Sequence, residues 1–490
     1  MNINGLLLAC ITFLPLIGVL ILLLWKNLAQ KQAGIVAIVC EASCLVIPFI
    51  LLGSIRQGQK VFFSFPWISS LNINFSLELN WLSLIFLIME VMVTLSAMIY
   101  SIGEREEKKN SSYYYSLLLL FSLGMSGTTL AEDVFLFYVY WELMLVASVL
   151  LILIWGHGEI RYRVALKYFI FTHIGSLLVL ISLISLYVNT GSASITSLIL
   201  MADQLPLQQQ SLLILLFVIG FCVKMAIFPL HIWLPDAHTV APMPVTIMLA
   251  AAMLAMGTYG IIRFPFSIFG IEKMQSFAIG LMIAGIVSEI YGALMSLAEK
   301  DIKRIIAYSS VSQMGYILFG LGTLTQQGIM GSIMHVVYHA IVKALLFMIV
   351  GMIIYISGER MIDHIGGLGR KYPVVSVCAA VGTLSISGMP PLGIFNSEWM
   401  IFAGGFQSGF PISLTLITLL GSIFTLVYAL RFFGNIFFGP QKPKELDKEA
   451  PLGLLIPTAA VTLLLIIEGL IPGPLLSWTM KSISIVFGGN

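Results

Sequence analysis

Uninterrupted apolar runs of about twenty residues recur from one end of this chain to the other, each long enough to cross the roughly 30 Å of hydrocarbon in a bilayer. Backbone polar groups find no water at that depth, so segments of this kind must be helical. Short loops carrying Gly, Pro or charge separate them and leave no room for a soluble domain. Spans are expected near residues 5–24, 33–53, 80–102, 112–130, 134–155, 165–188, 210–240, 243–263, 272–297, 304–323, 328–356, 373–400, 411–437 and 452–472. That makes about fourteen, several of them broken or tilted. Charged residues are 10% of the 490 and hydrophobic ones 59%. A soluble protein carries roughly a quarter charged residues, so a soluble enzyme is excluded and an all-α polytopic membrane protein is expected.

The basic residues orient it. With the N-terminus outside, eighteen of the 25 Lys and Arg residues fall in cytoplasmic loops, among them Lys26, Arg105, Lys108, Arg161, Lys167, Arg304, Arg370, Lys442, Lys444 and Lys448. Five lie outside: Arg56, Lys60, Arg263, Lys273 and Lys481. This is the positive-inside asymmetry, and it leaves two cations, Lys224 and Lys343, inside spans. Residues 5–24 lack a basic leader and a small-residue cleavage site, so they are expected to be the first permanent helix.

Cys10, Cys40, Cys44, Cys222 and Cys378 lie in or beside apolar runs without iron–sulfur or zinc spacing. No Walker sequence and no GxGxxG after a strand occurs. No cofactor, no metal and no nucleic-acid partner is therefore expected for this chain, and redox chemistry would have to lie elsewhere.

Ionisable groups inside hydrocarbon are functional candidates. Glu142 sits in FLFYVYWELMLVAS, well within the fifth span. Lys224 lies in FCVKMAIFPLHIWLPDAH, five residues before Pro229, which must interrupt the seventh span. The eleventh span reads GSIMHVVYHAIVKALLFMIVG, so His335, His339 and Lys343 follow at i, i+4 steps on one stripe that can hold water and pass protons. Two histidines at that spacing also suit a metal, but no Cys or carboxylate nearby completes a ligand set. The twelfth span contains LSISGMPPLGIFNSEWMIF, where Pro390 and Pro391 break the helix ahead of Glu398. Spans seven and twelve thus echo one another across roughly 160 residues, the pattern of a transport site between two repeats.

The stretches FPLHIWLPDAHTVAPMPV, FYVYWELML, EKDIKRIIAYSSVSQMGY and HAIVKALLF resemble the antiporter-like subunits of respiratory complex I. That family includes the Mrp-type cation/proton antiporters and the large membrane subunits of energy-converting hydrogenases. The resemblance covers about residues 75–440. It implies two inverted five-helix repeats with broken helices 7 and 12, dividing the chain into 1–110 (helices 1–3), 111–265 (helices 4–8), 266–440 (helices 9–13) and 441–490 (helix 14). It also implies a glutamate–lysine pair matching Glu142 and Lys224, a relay matching His335, His339 and Lys343, and an exit group matching Glu398.

One departure stands out. Relatives carry a lysine on helix 8 where MLAMGTYG here has Ala255, so the link between the halves must use water or be sealed. Glu90, Glu289 and Glu468 are further acids in apolar runs, each read either as a residue meeting a neighbouring subunit or as part of conduction, with Glu289 a candidate to replace the missing lysine. His173 reads as a packing residue or a relay. His231, Asp236 and His238 lie beyond the proline break, feeding protons inward or satisfying loop backbone.

The expected function is proton or sodium translocation in a redox-driven respiratory or hydrogenase complex. The expected partners are other membrane and peripheral subunits in the cytoplasmic membrane of a prokaryote. The alternatives are a subunit of a multi-subunit cation/proton antiporter or inorganic-carbon uptake complex, and a non-conducting scaffold.

Overall fold

The computed structural model describes residues 3–104, 109–440 and 449–487. Among them, eleven helical segments are long and apolar enough to cross a membrane. Arg105, Lys108, Lys442, Lys444 and Lys448, counted above as cytoplasmic, lie outside the described residues.

Helices α1 (Ile3–Leu24) and α2 (Gln30–Arg56) lead into an antiparallel hairpin, β1 (Val61–Ile68) and β2 (Ile73–Leu79), which the search for long apolar runs passes over. Phe65 and Phe75 are register partners and stack at 4.9 Å, and Phe13 of α1 stacks on Phe75 at 5.9 Å. Asn72 makes the turn with φ +53°, a left-handed conformation that Asn tolerates. The next helices are α3 (Trp81–Gly103), α4 (Ser111–Leu130), α5 (Val134–Trp155) and α6 (Arg161–Thr190), followed by the short α7 (Ile195–Met201). Asn80 caps α3 by accepting from the Ser83 N–H, and Asp133 caps α5 through the Phe135 and Leu136 N–H groups, which satisfies donors that would otherwise be stranded at the membrane border.

The seventh span is broken as expected. Helix α8 (Leu207–Met225) stops at Ala226, and the chain is irregular through Pro229 before α9 (Leu234–Val240). Next, α10 (Met243–Ile247), α11 (Leu254–Ile261) and α12 (Ser267–Ala298) run on through π-helical turns as one 56-residue apolar segment. It turns only at Gly270, whose φ of +78° a side chain would resist. Arg263, counted above as outside, is buried in the π-helical turn just before Gly270, 3.7 Å from Glu78.

Helices α13 (Ile302–Gly322) and α14 (Gln326–Ser357) form the buried centre. Helices α12 and α13 touch backbone to backbone: a methyl added at Gly285 would lie 2.6 Å from the Phe319 nitrogen, and one at Gly315 2.5 Å from the Glu289 nitrogen. Small residues permit such approach between membrane helices. The start of α13 is clamped at the surface. Arg360 pairs with Asp301 at 2.7 Å and Lys300 with Asp363 at 3.0 Å, and the Lys300 hydrogen bond holds the Asp363 carboxyl below its usual range.

After the short α15 (Leu368–Lys371), the twelfth span is also broken, into α16 (Pro373–Ile386) and α17 (Gly393–Gln407). Helices α18 (Ile412–Phe433) and α19 (Leu452–Leu470) follow, then two short helices, α20 (Gly473–Ser482) and α21 (Ser484–Phe487), beyond the last expected span. Helices α1, α2, α6, α18 and α19 present exposed apolar side chains outward, the surface expected where lipid replaces water.

Candidate ion-translocation site

Glu142 stands in the middle of α5 and Lys224 in the last turn of α8, just before the break. No ion pair joins them. Glu142 Oε2 instead pairs with His173 Nδ1 of α6 at 3.2 Å, and its other oxygen has no hydrogen-bond partner. His173, the residue weighed above as packing or relay, stacks on Phe169 at 5.2 Å. Its side chain is 36% exposed and that of Glu142 20%, so the pair reaches the chain's outer surface within the membrane.

Lys224 is buried, and its ammonium lacks any hydrogen-bond acceptor. It lies 5.1 Å from the ring of Trp141, a cation–π contact that partly replaces lost hydration. Trp141 is held in turn by donating its indole N–H to Ser176 at 2.9 Å. An unpaired cation is thus delivered to the helix break, where backbone groups are also freed.

Beyond the break, the three groups read together in the sequence separate. Asp236 pairs with Lys167 at 2.8 Å and with Arg304 at 2.9 Å, a surface cluster near the ends of α6 and α13. His231 packs among Phe228, Tyr291 and Tyr308. His238 is fully buried, stacks on Phe347 of α14 at 5.3 Å, and has no partner on either ring nitrogen. It lies within electrostatic reach of Lys343 and of Lys303, which donates to the Ala241 carbonyl at 2.9 Å. The first half therefore meets the second at His238.

Ala255 lies in α11, after the first π-helical turn. The small residues of α11 serve close packing there: a methyl at Gly257 would sit 2.6 Å from Met225 Cγ and 2.8 Å from the Phe221 carbonyl. Ala255 itself is buried in the same helix.

In the second half, α14 aligns His335, His339 and Lys343, all fully buried. Lys343 donates to the Ile306 carbonyl at 3.0 Å and to Ser309 Oγ. Neither ring nitrogen of His339 has a partner. His335 shares hydrogen bonds with Gln313 at 2.9 Å and Ser397 at 3.0 Å and stacks on Tyr316 at 5.7 Å. Ser397 is the neighbour of Glu398 on α17, and Glu398 Oε1 is buried without a partner. Taken in order, the groups are Lys343, His339, His335 and then, through Ser397, Glu398.

The remaining acids divide. Glu90 and Glu289 are fully buried inside the chain, so neither directly meets a neighbouring subunit, whereas Glu468 is half-buried. Glu289 does not face Ala255; it packs on Gly315 of α13 and Gly421 of α18. Glu90 accepts from Ser126, while Glu41 of α2 accepts from Thr94 and, at 2.7 Å, from Ser122. Glu41 was missed in the sequence, although an acid within IVCEASCLV carries the same signal as Glu90.

Residues 131–425 match the family model described as "NADH:quinone oxidoreductase/Mrp antiporter, TM". The chain is 34% identical over 443 residues to NADH-quinone oxidoreductase subunit M of Escherichia coli (strain K12), covering 88% of this chain and 85% of that one. To the subunit M of Rickettsia conorii it is 30% identical over 475 residues, with 95% of each chain covered. It is also 33% identical, over 94% of its length and 61% of the relative's, to the putative antiporter subunit mnhA2 of Staphylococcus saprophyticus. Among solved structures, a chain of the membrane-bound sulfane sulfur reductase, an archaeal respiratory membrane complex, is 29% identical with a TM-score of 0.86, covering 96% of this chain and 76% of that one. The fold is also shared with a chain of respiratory complex I from Thermus thermophilus, at a TM-score of 0.85 and 23% identity, over 98% of this chain and 100% of that one.

Proposed function

Because this chain belongs to the NADH:quinone oxidoreductase/Mrp antiporter transmembrane family, we propose that it is the ion-translocating membrane subunit of a redox-driven respiratory or hydrogenase-type complex. It moves protons or sodium ions through buried side chains while other chains transfer the electrons. The observation that carries this reading is the succession Lys224, His238, Lys343, His339, His335 and Glu398, buried on the continuous α14 and the two broken spans that flank it, with no ion pair to any member among the described residues. A lysine at mid-bilayer costs about 2.5–3.5 kcal/mol even on insertion scales, so a purely structural span would replace it.

Glu142 and Lys224 work as a switch. An ammonium holds its proton more tightly beside a carboxylate than alone. Glu142 is bonded to His173 here and leaves Lys224 unpaired; exchanging His173 for Lys224 would load that lysine. The proton then passes by His238 to Lys343, and imidazoles carry it onward because one ring nitrogen can accept a proton as the other gives one up. The partial exposure of Glu142 and His173 within the membrane supports a neighbouring subunit docking there, since lipid would leave those polar groups unsatisfied.

The architecture consistent with this has fourteen crossings. Dividing the 56-residue run at Gly270 and adding α4 and the α16/α17 pair brings the eleven apolar segments to that number. We place the inverted repeats at 111–265 and 266–440, flanked by 1–110 and 441–490, with the N-terminus outside a prokaryotic cytoplasmic membrane. The end that carries Lys167, Lys300, Arg304 and Arg360 then faces the cytoplasm.

A second reading, a subunit of a gradient-driven cation/proton antiporter, draws support from the likeness to the staphylococcal relative. Membrane vesicles holding the intact complex distinguish the two. Ion movement that follows electron donor supports the first; movement driven by an imposed sodium gradient alone supports the second. Lys224→Ala should abolish most of either flux with the complex still assembled, and unchanged flux would remove the translocation reading.

A further inference from the structure

Glu289 is a buried acid of the second half that the route above does not use. It is fully buried on α12, and neither carboxylate oxygen has a hydrogen-bond partner among the described residues. The Tyr316 hydroxyl faces it, and Glu398 lies within electrostatic reach of both. Each carboxyl occupies a niche that only glycine permits. A methyl at Gly421 of α18 would collide with Glu289 Oε1, and one at Gly388, in the break between α16 and α17, with Glu398 Oε2. Further polar groups nearby are the Tyr428 hydroxyl, Ser309, Gln313 and Thr425, which shares a 3.4 Å hydrogen bond with Tyr316. Among the described residues, neither carboxyl makes an ion pair. Carboxylates that repel one another in a dry place share a proton more readily than they both ionise, and this pair stands beside the relay: the Tyr316 ring stacks on His335, and Ser397, hydrogen-bonded to His335, precedes Glu398 in α17.

We propose that Glu289 is a second terminal proton acceptor, forming with Glu398 one carboxyl unit that holds a single proton across Tyr316. A proton leaving a His335 nitrogen breaks an N–H bond and makes an O–H bond on one carboxyl, while the other stays ionised and can exchange roles with it through the Tyr316 hydroxyl. This inference rests on the route proposed above and adds an acceptor to its end.

The test uses the reconstituted complex with Glu289→Gln, Glu398→Gln and the double variant, alongside Lys343→Met. Each single variant should lose several-fold in ion flux and the double variant nearly all of it, because either carboxyl alone still accepts the proton. Glu289→Asp should restore flux over Glu289→Gln. Infrared difference spectra taken across a pH step should lose part of one carboxyl band in each single variant and all of it in the double, a change that loss of packing alone would not produce. Should a variant assemble poorly, Gly421→Ala offers an independent probe, since it crowds Glu289 without removing it and should also lower flux. Wild-type flux in Glu289→Gln, with a double variant no worse than Glu398→Gln alone, would overturn the proposal. If Lys343→Met itself retained full flux, the route and not this addition to it would have failed.

Discussion

A lysine with no acceptor, sealed between helices, either gives up its proton or draws a counter-charge to it, and the groups around Lys224 set the first expectation. Glu142 touches His173 and not Lys224. Replacing His173 with Phe keeps its stacking on Phe169 but frees Glu142 to stay with Lys224. Flux should then fall by about tenfold or more, equivalent to roughly 1.4 kcal/mol in the barrier, with the chain still folded. Flux measurements on His173→Phe showing no change would leave Glu142 without a switching partner. At this scale the sequence was informative where chemistry repeats along one helix. His335, His339 and Lys343 are legible because four-residue spacing puts them on one stripe. The Glu142–His173 pair joins two helices and residues 31 apart, and His238 is placed by a chain reversal, so neither partnership has a local signature.

Helices and breaks show the same contrast. Both interrupted spans could be read from Pro229, Pro390 and Pro391, because proline removes a backbone donor wherever it stands. The hairpin at 61–79 could have been read from its alternating Phe63, Phe65 and Phe75, but strands of seven or eight residues fall below a search tuned to bilayer length. Whether the link at Ala255 uses water or is sealed has no local signature either, and the same helix packs tightly on α8 at Gly257. Shape complementarity of that kind depends on which helix arrives opposite. The contact of α12 with α13 makes this testable. Gly315→Val would push a branched side chain into the Glu289 backbone and should destabilise the chain by about 1–3 kcal/mol or more. It should lower the thermal midpoint of the purified complex and its yield; an unchanged midpoint would mean that the two helices are not in backbone contact.

Across the whole molecule, the orientation proposed above puts the basic end of the bundle on the cytoplasmic side and the hairpin on the other. In a cysteine-free background, Ser69→Cys in the hairpin turn should react with a membrane-impermeant thiol reagent on intact cells. Lys300→Cys should react only after permeabilisation, and the reverse pattern would invert the topology. The family was legible from its motifs because they cluster at the breaks and buried charges, where chemistry restricts the choice of residue. Whether electrons or an ion gradient drive the flux was not legible, because that depends on surfaces offered to other chains.

The central claim is that charge crosses this chain by way of Lys343, the first group of the relay on α14. It is tested most directly by counting ions moved per electron transferred in vesicles of the assembled complex carrying Lys343→Met. The side chain keeps its length and apolar stem and loses only the proton site. The account predicts that electron transfer continues at a reduced rate while ion flux through this subunit disappears, lowering the count. An assembled complex with Lys343→Met that moves the wild-type number of ions per electron would contradict it.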